Sequence, residues 1–444
     1  MRISIVGAGY VGLVTGVCLA EKGHDVVCVE TDAAKVERIN RAEAPIHETG
    51  LEALLARHVG KRFRATRDMV EAVVNSDVTF VAVGTPFDGR SIDLTHVLAA
   101  AEQIGAALAG KDARHTVIVK STVVPGTTVG PVREHLEAAS GKRAGSGFGL
   151  GANPEFLTEG QAVEDFMQPD RIVIGGIDAG TLSVLADVYR PFADVPVIRS
   201  NPSTAEMIKY ASNALLATAI SFSNEIADLC SALGDVDARD VMRGVHESAY
   251  LTVRRNGERL RAPLAGFFEA GCGFGGSCLP KDVNALAAHG RARGIDMPLL
   301  DAVMAVNAGR PRRVLELLER HFPELAGRRI AVLGLAFKPD TDDVRESPAF
   351  PVIRALVAAG ATVSAYDPVA NEPARRALGD LPVRYAGGLG DAVAGADAVV
   401  IVTRWAEFGE LPDLLRASGA ETLVVDGRRM LERDAVEHYD GIGL

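Results

Sequence analysis

The sequence predicts an α/β protein in which two doubly wound parallel-sheet units are joined by a long central helix and a small helical domain. Three observations carry that expectation. Near the start, the β-branched run Arg2–Val6 leads into Gly7-Ala8-Gly9-Tyr10-Val11-Gly12, a helical stretch to Lys22 and a second strand-like run, Asp25–Val29. In the last third, Arg329–Gly334 echoes the opening strand, Gly360–Asp367 echoes Gly23–Glu30, and Asp397–Thr403 echoes Asp77–Gly84. Between them, Ser203–Leu233 runs without proline or glycine until Gly234 closes it. Both sheet units are therefore expected to be Rossmann-like, with domains at 1–199, 200–323 and 324–444.

The bulk numbers agree with two or three full cores in 444 residues. Apolar residues make up 48% and charged residues 24%, an ordinary soluble balance, and the net charge of −11 argues against a nucleic-acid groove. Five scattered cysteines without a CxxC pair read as reduced thiols of a cytoplasmic protein, with no metal cluster. The apolar run Ile3–Ala20 is interrupted by glycines at 7, 9, 12 and 16, so it reads as strand, turn and helix rather than a membrane segment.

In the first unit the glycine fingerprint sits inside a strand-turn-helix-strand frame, and Glu30 stands 18 positions beyond Gly12. Such glycines let a pyrophosphate reach the helix N-terminus, where unpaired N–H groups and the dipole favour anions. Glu30 would accept from the adenosine ribose hydroxyls and repel a 2′-phosphate, which predicts NAD over NADP. Strands at Val78–Val83 and Thr116–Val119 deliver Thr85 and Thr122 to the carboxyl edge of the sheet, the nicotinamide side. The strand-like Phe148–Gly151 brings Asn153-Pro154-Glu155-Phe156-Leu157 and Glu159 to that edge.

In the middle third, Ser203-Thr204-Ala205-Glu206 has capping-box spacing, and the helix it opens is about 46 Å long. A rod of that length joins domains and offers a face to a second copy, so a homodimer or larger assembly is expected. Lys209 and Asn213 stand one turn apart on it. A second long helix is expected from Pro298 to about His321. Between the two lies Gly271-Cys272-Gly273-Phe274-Gly275-Gly276-Ser277-Cys278-Leu279-Pro280-Lys281-Asp282. Its glycines let the main chain pass close to something large and flat-sided. Pro280 suits the first turn of a following helix, which places the Cys278 thiol beside a helix N-terminus with Lys281 near, surroundings that favour thiolate.

The last third has lost the glycine fingerprint. After Gly334 it reads Leu335-Ala336-Phe337-Lys338-Pro339-Asp340, so Lys338 supplies a point charge where the first unit supplies backbone donors. Arg345 and Arg428 are further cations near strand ends, and Arg345 has Asp343 and Glu346 beside it as alternative partners.

Together these motifs, with Lys120-Ser121-Thr122-Val123 and Glu206-Met207-Ile208-Lys209-Tyr210, resemble the UDP-glucose/GDP-mannose dehydrogenase family over nearly the whole chain. Asp165–Gly175 is most similar to its UDP-glucose-oxidising bacterial members. The resemblance implies oxidation of a nucleotide-sugar primary alcohol to a carboxylate with two NAD⁺. Cys278 would be the nucleophile, holding the half-oxidised carbon as a thiohemiacetal and then a thioester. Lys209, Asn213 and Asp282 would assist proton transfer, and Glu155 with Thr122 would handle water. The implied cofactor contacts are Gly7, Gly9, Tyr10, Val11, Gly12, Glu30, Lys35, Thr85, Thr122, Glu159 and Arg345. The implied substrate contacts are Glu155, Phe156, Leu157, Lys209, Asn213, Gly275, Lys338 and Arg428. One departure stands out. The family's arginine 16 residues before the cysteine is Ala262 here, with Arg259 and Arg261 close by. Competing readings are the same chemistry on GDP-mannose or a UDP-N-acetylhexosamine, a single-hydride hydroxyacid dehydrogenase, and a NAD-binding regulatory protein without turnover.

Overall fold

The computed structural model describes every residue of the chain except Ala420. The chain divides into two compact units, Met1–Ser212 and Asn213–Leu444.

The first unit is built on an eight-stranded sheet: β1 (Arg2–Val6), β2 (Asp25–Val29), β3 (Phe63–Thr66), β4 (Val78–Val81), β5 (Thr116–Val119), β6 (Gly149–Ala152), β7 (Ile172–Gly176) and β8 (Val197–Ser200). Their order is β3-β2-β1-β4-β5-β6-β7-β8. All neighbours are parallel except β6 and β7, which pair antiparallel. The chain reverses direction of travel across the sheet between β1 and β4, so a crevice opens beyond their carboxyl ends. The loops after β1 and β4 carry the glycine fingerprint and Thr85. Near-continuous burial of β1, β4 and β5 reflects helices on both faces of a parallel sheet.

The second unit holds a six-stranded, all-parallel sheet: β11 (Arg329–Leu333), β12 (Thr362–Tyr366), β13 (Val383–Tyr385), β14 (Ala398–Ile401), β15 (Leu423–Asp426) and β16 (Tyr439–Gly441), in the order β13-β12-β11-β14-β15-β16. The internal echo is thus topological. The sequence pairs noted above occupy equivalent places, β1 with β11, β2 with β12 and β4 with β14. Before this sheet come the helix Leu279–Arg291 and the helix Pro298–His321, the latter with the bounds expected above.

Two local expectations are corrected. The long helix runs Pro202–Leu233, and its cap is Asn201, whose side-chain oxygen accepts from Thr204 N–H at 2.9 Å. Glu206 does not close a capping box. Its buried carboxylate instead receives Gly126 N–H at 2.6 Å and Thr128 N–H at 2.9 Å, tying the helix to the segment after β5. The central domain, expected to be helical, also contains a hairpin, β9 (Thr252–Arg255) with β10 (Glu258–Arg261), turned by Asn256 and Gly257 at φ 51° and 84°. An Asn-Gly pair is the preferred chemistry for a two-residue turn with both φ angles positive.

Candidate active site

In the first unit the fingerprint glycines have separate tasks. A Cβ on Gly12 would stand 1.9 Å from the Gly7 carbonyl oxygen, so close helix-strand packing requires glycine there. A Cβ on Gly9 would meet nothing within 4 Å. Gly9 therefore leaves open space directly at the N-cap of the helix Tyr10–Glu21, whose first N–H groups lack intrahelical acceptors. That gap suits a pyrophosphate. Glu30 lies past the end of β2 with one carboxylate oxygen accepting from Thr31 and Asp32 N–H at 2.7 and 3.1 Å, while Lys35 stands 3.8 Å from the other. Tyr10 directs its hydroxyl to the Glu48 carboxylate and accepts Gly160 N–H at 2.8 Å, which anchors the loop bearing Glu159. Thr85 donates to the Thr122 carbonyl at 2.8 Å, so these two meet as their strand ends predict. The residues present fit NAD: a phosphate gap, a ribose acid and polar groups at the β4 and β5 ends.

A buried charged cluster lies at the edge of the same unit. Lys209 Nζ is 3.0 Å from Glu155 Oε1, and Leu157 N–H donates to Glu155 Oε2 at 2.6 Å. Burial pushes the Glu155 pKa up, but Lys209 and the Leu157 N–H outweigh it and hold the carboxyl below its ordinary range. Phe156 lays its ring under Arg171, 4.0 Å from the guanidinium carbon, with Lys209 Nζ 5.5 Å away. Lys120, in the motif Lys120-Ser121-Thr122-Val123, belongs to the same cluster. It is 3% exposed, donates to Asn153 Oδ1 at 3.1 Å, and burial lowers its pKa to about 8. Asn153 is in turn fixed by Tyr189 Oη at 2.5 Å and by its own bond to the Val173 carbonyl.

In the second unit Cys278 is the N-cap of the helix Leu279–Arg291, with Pro280 in the first turn. Its Sγ lies 3.5 Å from Ser277 Oγ. The ammonium of Lys281 is 2.5 Å from Asp282 Oδ1. Asn213 donates to the other oxygen of that buried carboxylate at 2.6 Å, so Asn213, Asp282 and Lys281 form one chain of contacts one turn into the helix.

The glycine loop packs against protein, which refines the expectation of a large flat neighbour. A Cβ on Gly275 would lie 2.1 Å from the Glu346 carbonyl, and one on Gly276 2.7 Å from the Phe337 ring. Three residues that the sequence reading missed hold this loop. Asn224 accepts Gly271 N–H at 2.8 Å, Asn307 bonds both the N–H and the carbonyl of Phe274, and the buried Arg310 donates to the Gly271 carbonyl at 2.9 Å. Their signal was only helical spacing, since polar side chains on long helices ordinarily face water.

Beside the loop lies a cleft of about 290 Å³, lined by Gly275, Leu279, Phe337, Lys338, Arg404 and Arg428 among others. Arg428 is fixed by its Nε bond to the Val402 carbonyl at 2.6 Å. The degenerate fingerprint has a physical explanation here. Asp367, the counterpart of Glu30, accepts Leu335 and Ala336 N–H at 2.8 and 3.0 Å and Trp405 Nε1–H at 3.0 Å. The N–H groups of Leu335 and Ala336 are thereby consumed within the protein. Arg345 falls in this unit and grips Asp343 through Nε and Nη2 at 2.9 and 2.6 Å. Arg259 and Arg261, the neighbours of Ala262, both pair with Glu247. Among the described residues no three His, Cys, Asp or Glu are grouped to hold a metal ion, and no helix is long and apolar enough to cross a membrane.

A dinucleotide fold, a second fold of the same topology with cationic loops, and a cysteine at a helix cap define an NAD-linked dehydrogenase of nucleotide-bearing substrates. The comparisons narrow that class. Residues 1–193 match the NAD binding domain of the UDP-glucose/GDP-mannose dehydrogenase family, 203–309 its central domain and 331–433 its UDP binding domain. The chain is 45% identical to the UDP-glucose 6-dehydrogenase AglM of Haloferax volcanii, covering all of both chains. It is 40% identical to the GDP-mannose 6-dehydrogenase of Pseudomonas putida over 83% of this chain and 81% of that one. The solved structure of a UDP-glucose dehydrogenase from Pyrobaculum islandicum superposes with a TM-score of 0.89 at 40% identity, covering 99% of this chain and 97% of that one. The chain belongs to the UDP-glucose/GDP-mannose dehydrogenase family, and it is an NAD-dependent nucleotide-sugar dehydrogenase.

Proposed function

We propose that the protein oxidises UDP-glucose to UDP-glucuronate in two successive hydride transfers, with the sugar carbon held on Cys278 between them. The observation that carries this reading is the position of Cys278 at a helix cap directly before Leu279, which lines the cleft with Lys338 and Arg428. When bound, NAD⁺ accepts hydride. The Cys278 thiolate adds to the aldehyde carbon, keeping it in place as a thiohemiacetal; loss of the second hydride leaves a thioester, and water attack frees the carboxylate and the thiol.

Lys209 and Asn213 with Asp282 are assigned to proton transfer and oxyanion stabilisation, and Glu155 with Thr122 to the hydrolytic water. Lys338 and Arg428 hold the diphosphate. The dinucleotide rests on Gly7, Gly9, Tyr10, Val11, Gly12, Glu30, Lys35 and Thr85, with Glu159 and Arg345 beside it. Three functional domains, 1–199, 200–323 and 324–444, divide these tasks. The preference for UDP-glucose draws support from the 45% identity to AglM against 40% over a shorter span to the GDP-mannose enzyme.

We further propose a homodimer through the long helix. Leu215, Phe222 and Leu229, spaced seven apart, are 56%, 47% and 58% exposed, an apolar seam that one chain alone leaves in water.

The deciding experiment measures NADH formed per UDP-glucose consumed, run beside GDP-mannose and UDP-N-acetylglucosamine. A ratio near two with UDP-glucose favoured supports the reading. A ratio near one sinks the four-electron scheme, and a preference for either other sugar nucleotide reassigns the substrate.

A further inference from the structure

The second unit has a larger cavity, about 640 Å³, against the helix Ala238–His246 and the segment 429–433. In a chain of net charge −11 its lining carries six arginines, Arg239, Arg243, Arg261, Arg404, Arg429 and Arg433, against four carboxylates. Most of these arginines are paired: Arg239 with Glu432, Arg243 with Asp240, Arg429 with Asp237. Arg433 has no carboxylate within ion-pair distance among the described residues.

Two lining residues carry an atom without a partner. His246 is 7% exposed and its Nε2 has no hydrogen-bond partner; Arg429 is 8% exposed and its Nε has none. A buried polar atom without a partner is costly, and both of these belong to residues that line this cavity. Both nitrogens can donate, and the surplus of guanidinium groups selects an acceptor with negative charge. The volume exceeds that of a lone phosphate and suits a small metabolite.

We propose that this cavity is a second anion site, distinct from the substrate cleft, that binds a diphosphate group, free or as part of a nucleotide. It shares Glu269, Ala270 and Arg404 with that cleft. An occupant that draws Arg404 from its partner Glu269 changes the wall of the substrate cleft, so the site is placed to regulate it. That coupling, though not the binding itself, rests on the functional reading above.

Inorganic pyrophosphate is titrated calorimetrically into the full chain carrying one equivalent of UDP, which occupies the substrate cleft. Binding is expected, weakened about tenfold in Arg433→Ala, an exposed and unpaired position whose loss leaves the fold intact, and unchanged in Lys338→Ala. Competition by a second equivalent of UDP identifies a nucleotide as the occupant; pyrophosphate binding without that competition identifies free diphosphate. No binding at millimolar pyrophosphate overturns the proposal, as does binding indifferent to Arg433→Ala or lost in Lys338→Ala, which places the anion elsewhere. Separately, UDP affinity unaffected by Lys338→Ala would defeat the substrate-cleft reading while leaving the dependence on Arg433 to stand.

Discussion

Lys209 Nζ and Glu155 Oε1 are 3.0 Å apart with side chains only 5% and 6% exposed, an ion pair almost fully withdrawn from water. Removing one partner of such a pair strands the other charge, at a cost of about 3–5 kcal/mol, whereas removing both costs less. Lys209→Met is therefore expected to lower unfolding free energy by about 3 kcal/mol in urea titration. Adding Glu155→Gln should recover a substantial part of it. Strictly additive losses in the double variant would show that the two groups do not interact.

Lys120 gives the same cluster a pH signature. Its folded pKa, about 8, lies below the ordinary lysine value of 10.5 because burial penalises the ammonium. Between those values the unfolded chain binds a proton that the folded chain has released, so this group makes stability rise with pH by up to about 1.4 kcal/mol per unit. Glu155 runs the other way. Its depressed pKa contributes stability above the ordinary carboxyl range that is lost as acid protonates the folded form. Lys120→Met should flatten the stability profile between pH 8 and 10.5 relative to the parent, whatever its absolute effect. Parallel profiles would mean that Lys120 titrates normally.

The two doubly wound units were legible because glycine fingerprint, strand runs and the internal echo all express backbone requirements, and those are local. Gly12 must be glycine for β1 to lie against its helix, and that need is written in one residue. Side-chain partners were less legible, since they depend on where distant segments arrive. Nothing near Arg310 in the sequence announces that its guanidinium will hold Gly271, 39 positions away. Likewise nothing near Lys281 in the sequence announces that its neighbour Asp282 will also receive Asn213, 69 positions away. The hairpin β9–β10 was legible in Asn256-Gly257, but only to a reader expecting strands in a helical stretch.

Cys278 is half-buried at a helix cap, with its Sγ 3.5 Å from Ser277 Oγ, and alanine keeps its backbone and its Cβ. Cys278→Ala should then unfold like the parent while its steady-state acid formation falls at least about 10³-fold. Absorbance of NADH under excess UDP-glucose reads this directly. Turnover at the parental rate would remove the covalent intermediate from the scheme.

The exposed seam of the long helix predicts assembly. Leu215→Glu with Leu229→Glu places charge at two heptad-spaced positions that are 56% and 58% exposed in the single chain. Neither substitution disturbs the chain's own core, so a loss of mass in light scattering, from dimer or larger to monomer, isolates the interface. An unchanged mass would move the interface to another face.

The fingerprint allows stability and cofactor binding to be separated in neighbouring positions. Gly12→Ala drives a methyl group to 1.9 Å from the Gly7 carbonyl and 3.3 Å from the Ala82 side chain, so helix and strand must part and the first unit is destabilised by several kcal/mol, about the cost of overpacking with backbone. Gly9 has φ −73° and ψ −168°, angles open to any residue, and its added methyl meets no protein atom within 4 Å. Gly9→Ala should accordingly match the parent in urea to within about 0.5 kcal/mol. The same methyl stands in the gap over the helix N-terminus where a pyrophosphate would sit, and NAD affinity by calorimetry should fall at least about tenfold. Parental NAD affinity in a stable Gly9→Ala protein would mean that the dinucleotide crosses the sheet edge elsewhere.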